Sequence, residues 1–336
     1  MISPTAFESN EETMSDNHFM AASDGADASD LSPADAHDAL LKRVVAEHKG
    51  LVAVVRDEIC ATVHLFDHTE EHDTPDAVFP NNWFCTVQTQ PYTEDNVTYP
   101  GGPQITLFPM RHPNRRKERR EDLIQFLTDR YNVVGKRADQ PEGQILDLTS
   151  SELDDPPQIL EGTGALVLDR THRVAYVCLS ERADLDLAAT WCNLSGYELI
   201  AFSANDEKGR PIYHTNVMMS VGTNGAIVCR PSLSDEEYKL VADKLKQTGR
   251  TIIDIDFTQM GEMCGNVLEI AGLGGTKCLL MSTRARDSFS QTQKNEIEKL
   301  WDSTHVSSIP TLEEVGGGRR AVLRRGAVLG FLGFRV

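Results

Sequence analysis

The sequence predicts an α/β fold in which five ββαβ units close into a ring, a five-bladed α/β-propeller with pseudo-fivefold symmetry. Three observations point there. A helix-period segment, usually a glycine or turn residue, and then a short apolar β-rich run recur five times along the chain. Pairs of strand-like segments lie between the helices. No Gly-x-Gly-x-x-Gly opens a helix after the first strand, which places a doubly wound parallel sheet second.

The apolar runs that should form the strand after each helix are Leu51–Val55, Tyr131–Val134, Tyr197–Phe202, Thr251–Ile255 and Val306–Ile309. The fourth unit shows the mechanics best. Ser234 and Glu237 have capping-box spacing, Tyr238, Val241, Ala242 and Leu245 form one apolar face, and Gly249 stops the helix. Leu123, Phe126 and Leu127 repeat that spacing in the second unit, on a helix expected over 114–129, as do Ile297, Leu300 and Trp301 in the fifth. Ala165–Leu168 and Val174–Leu179 read as a strand pair joined by a turn at Asp169–His172. The acidic stretch 23–38 reads mainly as an exposed loop ahead of the first helix. Residues 1–318 are expected to be one domain, followed by a basic tail, 319–336.

Composition narrows the function. A formal charge of -18 and a pI near 4.9 exclude a nucleic-acid face, which needs a basic stripe that is missing before the last 18 residues. Nine acidic residues precede the first basic one, Lys42, which is unlike a mitochondrial presequence. No apolar run approaches the ~18 residues of a membrane span, so the expected location is the cytoplasm. Seven scattered cysteines without Cys-x-x-Cys spacing fit a reducing compartment and exclude a zinc ribbon. His64, His68 and His72 could line a helix face and hold metal, but Thr69 and Thr74-Pro75 make the stretch a loop; no metal or cofactor is expected.

Four polar clusters end strand-like runs, where such a ring would gather them at one mouth. They are Asn81 and Asn82 in FPNNWFCT, Arg111 in MRHPNRRKERR, Glu161 in LEGTG, and His214 and Asn216 in YHTNVMM. A carboxylate beside glycine lets backbone or ligand approach closely, whereas a lone histidine is as often a satisfied core residue.

Together these motifs, with HTNVMMSVG, QMGEMCGNVLEI, the N-terminal MISPTAFESNEETMSDNHFM and the glycines at 316–318, resemble the guanidino-group-modifying (pentein) superfamily over nearly the whole chain. The branch they resemble most is the citrulline-utilisation hydrolases, also described as amidinotransferase-like. The resemblance implies a thiolate that attacks a guanidinium or ureido carbon, a histidine that moves protons and an acid that fixes it, the last two mapping to His214 and Glu161. It also implies substrate contacts from Asn81, Asn82, Asn216, Gly316 and Gly317. Arg111, with Arg115 or Arg116, would bind an α-carboxylate. Arginine-binding relatives carry carboxylates where Asn82 and Asn216 stand, so a neutral, citrulline-like head group is favoured over arginine. The expected partners are a small ureido or guanidino amino acid and at most a second copy of the chain as a homodimer.

One departure is large. The family nucleophile follows a Gly-Gly-Gly loop in a setting like Ser-Val-Arg-Cys, yet no cysteine follows Cys278 here, and the tail after Gly318 holds five arginines and no acid. Either the basic tail is genuine or the frame has shifted. Ala321–Gly326 can be written GCG GTG TTG CGC CGA GGT, and one base on it reads CGG TGT TGC GCC GAG, Arg-Cys-Cys-Ala-Glu. Cys264 is the one nearby substitute thiol, with Cys85 and Cys229 reading as core. Three functions follow: a thiol hydrolase of C–N bonds, an amidinotransferase, or a non-catalytic binder.

Overall fold

The computed structural model describes residues 1–7, 32–90, 92–94, 97–99, 101–133 and 143–315. Helix α1 (Pro33–Ala53) starts at Ser32, whose hydroxyl accepts from the Asp35 backbone, and runs through Gly50 into a π-turn at Val54–Glu58. Residues 33–38 are therefore helix, and Leu51–Val55 is not a strand. Val44, His48, Leu51 and Val55 recur at helical spacing, and all are buried. The three apolar ones pack with Met1, Phe7, Ile309 and Leu312.

Beyond it, four three-stranded sheets repeat one design among the described residues: an antiparallel pair, a helical crossover, then a third strand parallel to the second. The first comprises β1 (Phe84–Gln88), β4 (Pro103–Leu107) and β5 (Gln144–Asp147); the hairpin β2 (Tyr92–Glu94) and β3 (Val97–Tyr99) lies between its first two strands in sequence. Its crossover is broken into α2 (Pro113–Arg116) and α3 (Glu121–Arg130) rather than one helix over 114–129. Its parallel strand is β5, not Tyr131–Val134, of which the described residues 131–133 form a turn.

The second sheet joins β6 (Leu166–Asp169) and β7 (Val174–Cys178), follows the short turn helix α4 (Gly162–Ala165), and adds β8 (Glu198–Phe202) after α5 (Leu185–Ser195). The third joins β9 (Met219–Val221), β10 (Gly225–Cys229) and β11 (Thr251–Ile255), with α6 (Asp235–Gln247) crossing over. Ser234 caps α6 by accepting from the Glu237 amide, but the Glu237 carboxylate accepts from Ser203 N instead of closing the box. After α7 (Phe257–Gly261), the fourth sheet joins β12 (Leu268–Ala271), β13 (Lys277–Ser282) and β14 (Ser303–Ser307), with α8 (Thr283–Ser288) and α9 (Gln291–Leu300) between the last two. α10 (Pro310–Val315) follows.

Ile2 and Phe66, on either side of α1 in sequence, form an isolated parallel bridge, and no fifth three-stranded sheet occurs among the described residues. The sheets are separate and do not form a continuous barrel. No described helix is long and apolar enough to cross a membrane. Gly316, Gly317 and the basic tail fall outside the described residues.

Candidate active site

Each sheet is preceded by a short polar turn. Pro80–Asn82 leads to β1, Glu161 with α4 to β6, Thr215–Val217 to β9, and Cys264–Asn266 to β12. The repeated architecture puts these turns in register, and they touch in series. α4 packs on both Pro80–Asn82 and Thr215–Val217, and Asn266 Nδ2 donates to the Asn216 carbonyl at 2.7 Å. Glycine makes this approach feasible. A Cβ on Gly162, whose φ is +35°, would lie 2.2 Å from the Asn81 carbonyl, and one on Gly265 would lie 2.7 Å from that of Val217.

At the centre, His214 Nε2 donates to Glu161 Oε2 at 2.7 Å, and neither side chain is exposed. Arg182 approaches the same oxygen at 3.4 Å and the Arg111 amide donates to Oε1 at 3.2 Å. Burial alone would raise the Glu161 carboxyl, but the Arg182 charge and the His214 bond outweigh it and hold the group well below its usual range. Glu161 is therefore an anion that accepts from Nε2 and fixes the histidine ring.

The His214 ring packs closely on Gly164, where a Cβ would meet Asn82 Oδ1 at 2.7 Å and His214 Nδ1 at 2.9 Å. The Asn81, Asn82 and Asn216 amides are buried, and their nitrogen and oxygen atoms have no hydrogen-bond partner among the described residues. Buried amides without partners cost about 1–3 kcal/mol each, so a group that supplies both donors and acceptors would relieve them. The Glu161–His214 pair, Gly164 and the Asn82 side chain thus meet at one place, on turns that also carry the Asn81 and Asn216 amides.

Arg115 and Arg116 do not join Arg111 towards a ligand. The Arg115 guanidinium is fully buried on Glu118, with Nη2 also donating to the Phe79 carbonyl, and Arg116 bonds the carbonyls of Met110 and Arg111. Both hold backbone in place. Cys264 is buried with its thiol pushed up to about 12 by burial, and Cys85 likewise. No group of three or more His, Cys, Asp or Glu suited to a metal occurs among the described residues, and His68 bonds Thr74 rather than joining His64 in a ligand set.

The family model for N,N dimethylarginine dimethylhydrolase, eukaryotic, matches residues 3–322. The chain belongs to this family. Its fold is that of the dimethylarginine dimethylhydrolases' wider pentein superfamily, as solved structures show. The substrate-bound N-terminal domain of ArgZ, an arginine dihydrolase from the ornithine-ammonia cycle in Cyanobacteria, superposes with a TM-score of 0.59 at 16% identity, covering 84% of this chain and 86% of that one. Unliganded AgrE gives 0.59 at 15% identity over 84% of this chain, which spans only 34% of AgrE. A dimethylarginine dimethylaminohydrolase adduct with S-methyl-L-thiocitrulline gives 0.51 at 11% identity, over 84% and 88%. No curated protein matches the chain. The superfamily was legible in the motifs; the branch matched is the dimethylarginine dimethylhydrolases, where the motifs had suggested citrulline utilisation.

Two residues that bond the candidate site residues were missed by sequence reasoning. Arg182 lies in an unremarkable Ser-Glu-Arg turn. Asn266 had a visible signal, because Asn266-Val267 before β12 repeats Asn216-Val217 before β9.

Proposed function

We propose that this chain binds the head group of a ureido or guanidino amino acid against the Glu161–His214 pair, on a five-bladed ring whose fifth unit begins with the Ile2–Phe66 bridge and α1. The observation that carries this reading is the buried pair, with its histidine packed beside Asn82 over Gly164, on touching turns that also carry the partnerless Asn81 and Asn216 amides. A neutral, citrulline-like head suits it best. Glu161 is already ion-paired with Arg182, and Asp76 and Glu118 share Arg115, so these carboxylates are committed before a guanidinium arrives.

The chemistry the site is arranged for is thiol-dependent C–N hydrolysis. His214 takes the proton of a thiol, the resulting thiolate forms an S–C bond at the head carbon and expels an amine, and the amine takes that proton from His214. Water then gives a proton back to His214 and breaks the S–C bond. This chain supplies the proton-transfer pair but no activated thiol among the described residues. Burial pushes Cys85, Cys178, Cys192 and Cys264 each up to about 12, and Cys229 lies fully buried in the core. The sequence as given is accordingly a binder that should turn over poorly, since loss of a hydrolase nucleophile costs roughly 10⁶ in turnover.

The test is a paired assay of the chain and its Ala321→Arg/Val322→Cys variant on citrulline, arginine and N,N-dimethylarginine. Gain of amine release by the variant alone supports the reading. Turnover by the unaltered chain, or none by either despite binding, overturns the assignment of the missing thiol. An added amine acceptor that captures the head group would favour amidino transfer over hydrolysis.

A further inference from the structure

Beyond β4 the chain runs through an irregular segment, residues 108–111, in which every backbone group has a partner. Phe108 N donates to the Trp83 carbonyl at 2.8 Å, and the Pro109 carbonyl accepts from Leu160 N at 3.4 Å, so the segment is tied to the neighbours of Asn82 and of Glu161. The remaining groups go to side chains. Arg119 Nη2 donates to the Phe108 carbonyl at 2.9 Å, and Arg116 donates to the Met110 and Arg111 carbonyls at 2.9 and 3.2 Å. Met110 N donates to Glu152 Oε1 at 2.6 Å, and Arg111 N to Glu161 Oε1. Two guanidiniums and a carboxylate thus replace the ladder that a strand would supply. Glu152 is the hub of this frame. Its carboxylate is only 6% exposed, pairs with Arg119 and lies 3.3 Å from Arg116 Nε. It comes from the short turn Thr149–Leu153, which the parallel pairing of β5 with β4 brings to this end of the sheet.

Successive amides of this segment end on two different carboxylates, Met110 N on Glu152 and Arg111 N on Glu161. The peptide between Met110 and Arg111 is planar, and its carbonyl is held by Arg116 while the amide before it is held by Glu152, so the Arg111 N–H has little freedom to turn. We propose that Glu152 is a positioning residue for the Glu161–His214 pair, acting through the peptide between Met110 and Arg111. This rests on the proposed role of that pair in the site. The two oxygens of Glu161 have separate duties: Oε2 faces His214 and Arg182, and Oε1 takes the Arg111 amide at 3.2 Å. Once the Arg111 N–H moves away, Oε1 loses that donor deep in the protein, the carboxylate turns to regain one, and the 2.7 Å bond from His214 Nε2 changes with it. An ionised acceptor suits this task, because its hydrogen bonds are shorter and stronger than those of a neutral one.

Nuclear magnetic resonance of the full chain, with nitrogen-15 in its histidine rings, tests this without requiring turnover or ligand. The ring-nitrogen resonances of His214, assigned by their loss in His214→Gln, report its hydrogen bond to Glu161. The variants are Glu152→Ala, Glu152→Gln and, as a control on the same turn, Leu153→Ala, whose side chain is 84% exposed. Glu152→Ala is expected to shift the His214 resonances. Glu152→Gln keeps an oxygen for Met110 N but no charge, so it is expected to shift them in the same direction by less, and it decides the matter if Glu152→Ala does not fold. Leu153→Ala is expected to leave them in place. A merely structural Glu152 would lower the melting temperature without moving the ring. Unchanged His214 resonances in a folded Glu152 variant therefore overturn the proposal, as does an equal shift in Leu153→Ala. Failure of the unaltered chain to bind citrulline or arginine in a parallel titration would instead overturn the proposed function, while the ring resonances still decide whether Glu152 positions the pair.

Discussion

His214 Nε2 lies 2.7 Å from Glu161 Oε2, and the same carboxylate oxygen lies 3.4 Å from Arg182. One buried anion thus orients the histidine and neutralises a guanidinium that is itself only 1% exposed. Glu161→Gln would leave Arg182 as a buried charge without this carboxylate, keeping its contacts to His112 and the Tyr213 ring. Stability should fall by about 3–5 kcal/mol, read by urea denaturation. A loss under ~1 kcal/mol would mean that Arg182 does not depend on Glu161.

Gly162 and Gly164 stand two residues apart yet should fail differently. A Cβ at Gly162 would strike backbone, the Asn81 carbonyl at 2.2 Å, in a left-handed conformation, so Gly162→Ala should destabilise by upwards of ~2 kcal/mol. A Cβ at Gly164 would meet only side-chain atoms, those of Asn82 and His214. Gly164→Ala should therefore weaken ligand binding at least tenfold with a smaller stability loss. Denaturation and titration of the two variants side by side check this; comparable stability losses would place Gly164 in the scaffold alone.

The Glu313 carboxyl is raised by burial from its ordinary 4.5 to about 7, with Glu262 and Glu47 adding to the rise and Arg284, 3.6 Å away, opposing it. An acid whose folded pKa exceeds its unfolded one binds more protons when folded. Its contribution is therefore most favourable below about 4.5 and is lost as the pH rises towards and through about 7. Glu313→Gln should match the parent near pH 5 and exceed it at pH 8.5 by up to roughly 3 kcal/mol. Melting curves across that range measure the difference, and an equal gap at both ends would contradict the account.

The fourth unit of the sequence, the third sheet of the fold, was legible in its strand and helix face, since Thr251–Ile255 is β11 and Val241, Ala242 and Leu245 are its crossover helix's buried face. Local pattern sufficed there because a stop at Gly249 (φ +80°) separates helix from strand. It failed at Leu51–Val55, where Gly50 precedes the run without ending the helix. A Cβ at Gly50 would meet nothing within 4 Å, and packing of Val44, Leu51 and Val55 with Ile309 and Leu312 carries the helix through it. Tertiary burial outweighed the β preference of a Val-rich run. Among candidate site residues, Glu161, His214, Asn81, Asn82 and Asn216 stood out by unusual polar character inside apolar motifs, and the structure brings their turns together. Arg182 did not stand out because its partner is Glu161, 21 positions away in sequence, and only the fold joins them. Arg115 was misread as a ligand group because sequence does not reveal that Glu118 and Asp76 occupy it.

The most direct measurement is calorimetric comparison of citrulline and arginine on the unaltered chain and on Asn82→Asp. If the site is built for a neutral head, citrulline binds the unaltered chain more tightly, and the added carboxylate shifts preference towards arginine by about tenfold or more. Tighter binding of arginine to the unaltered chain, with no shift on Asn82→Asp, would contradict the reading of the partnerless amides on which the proposed function depends.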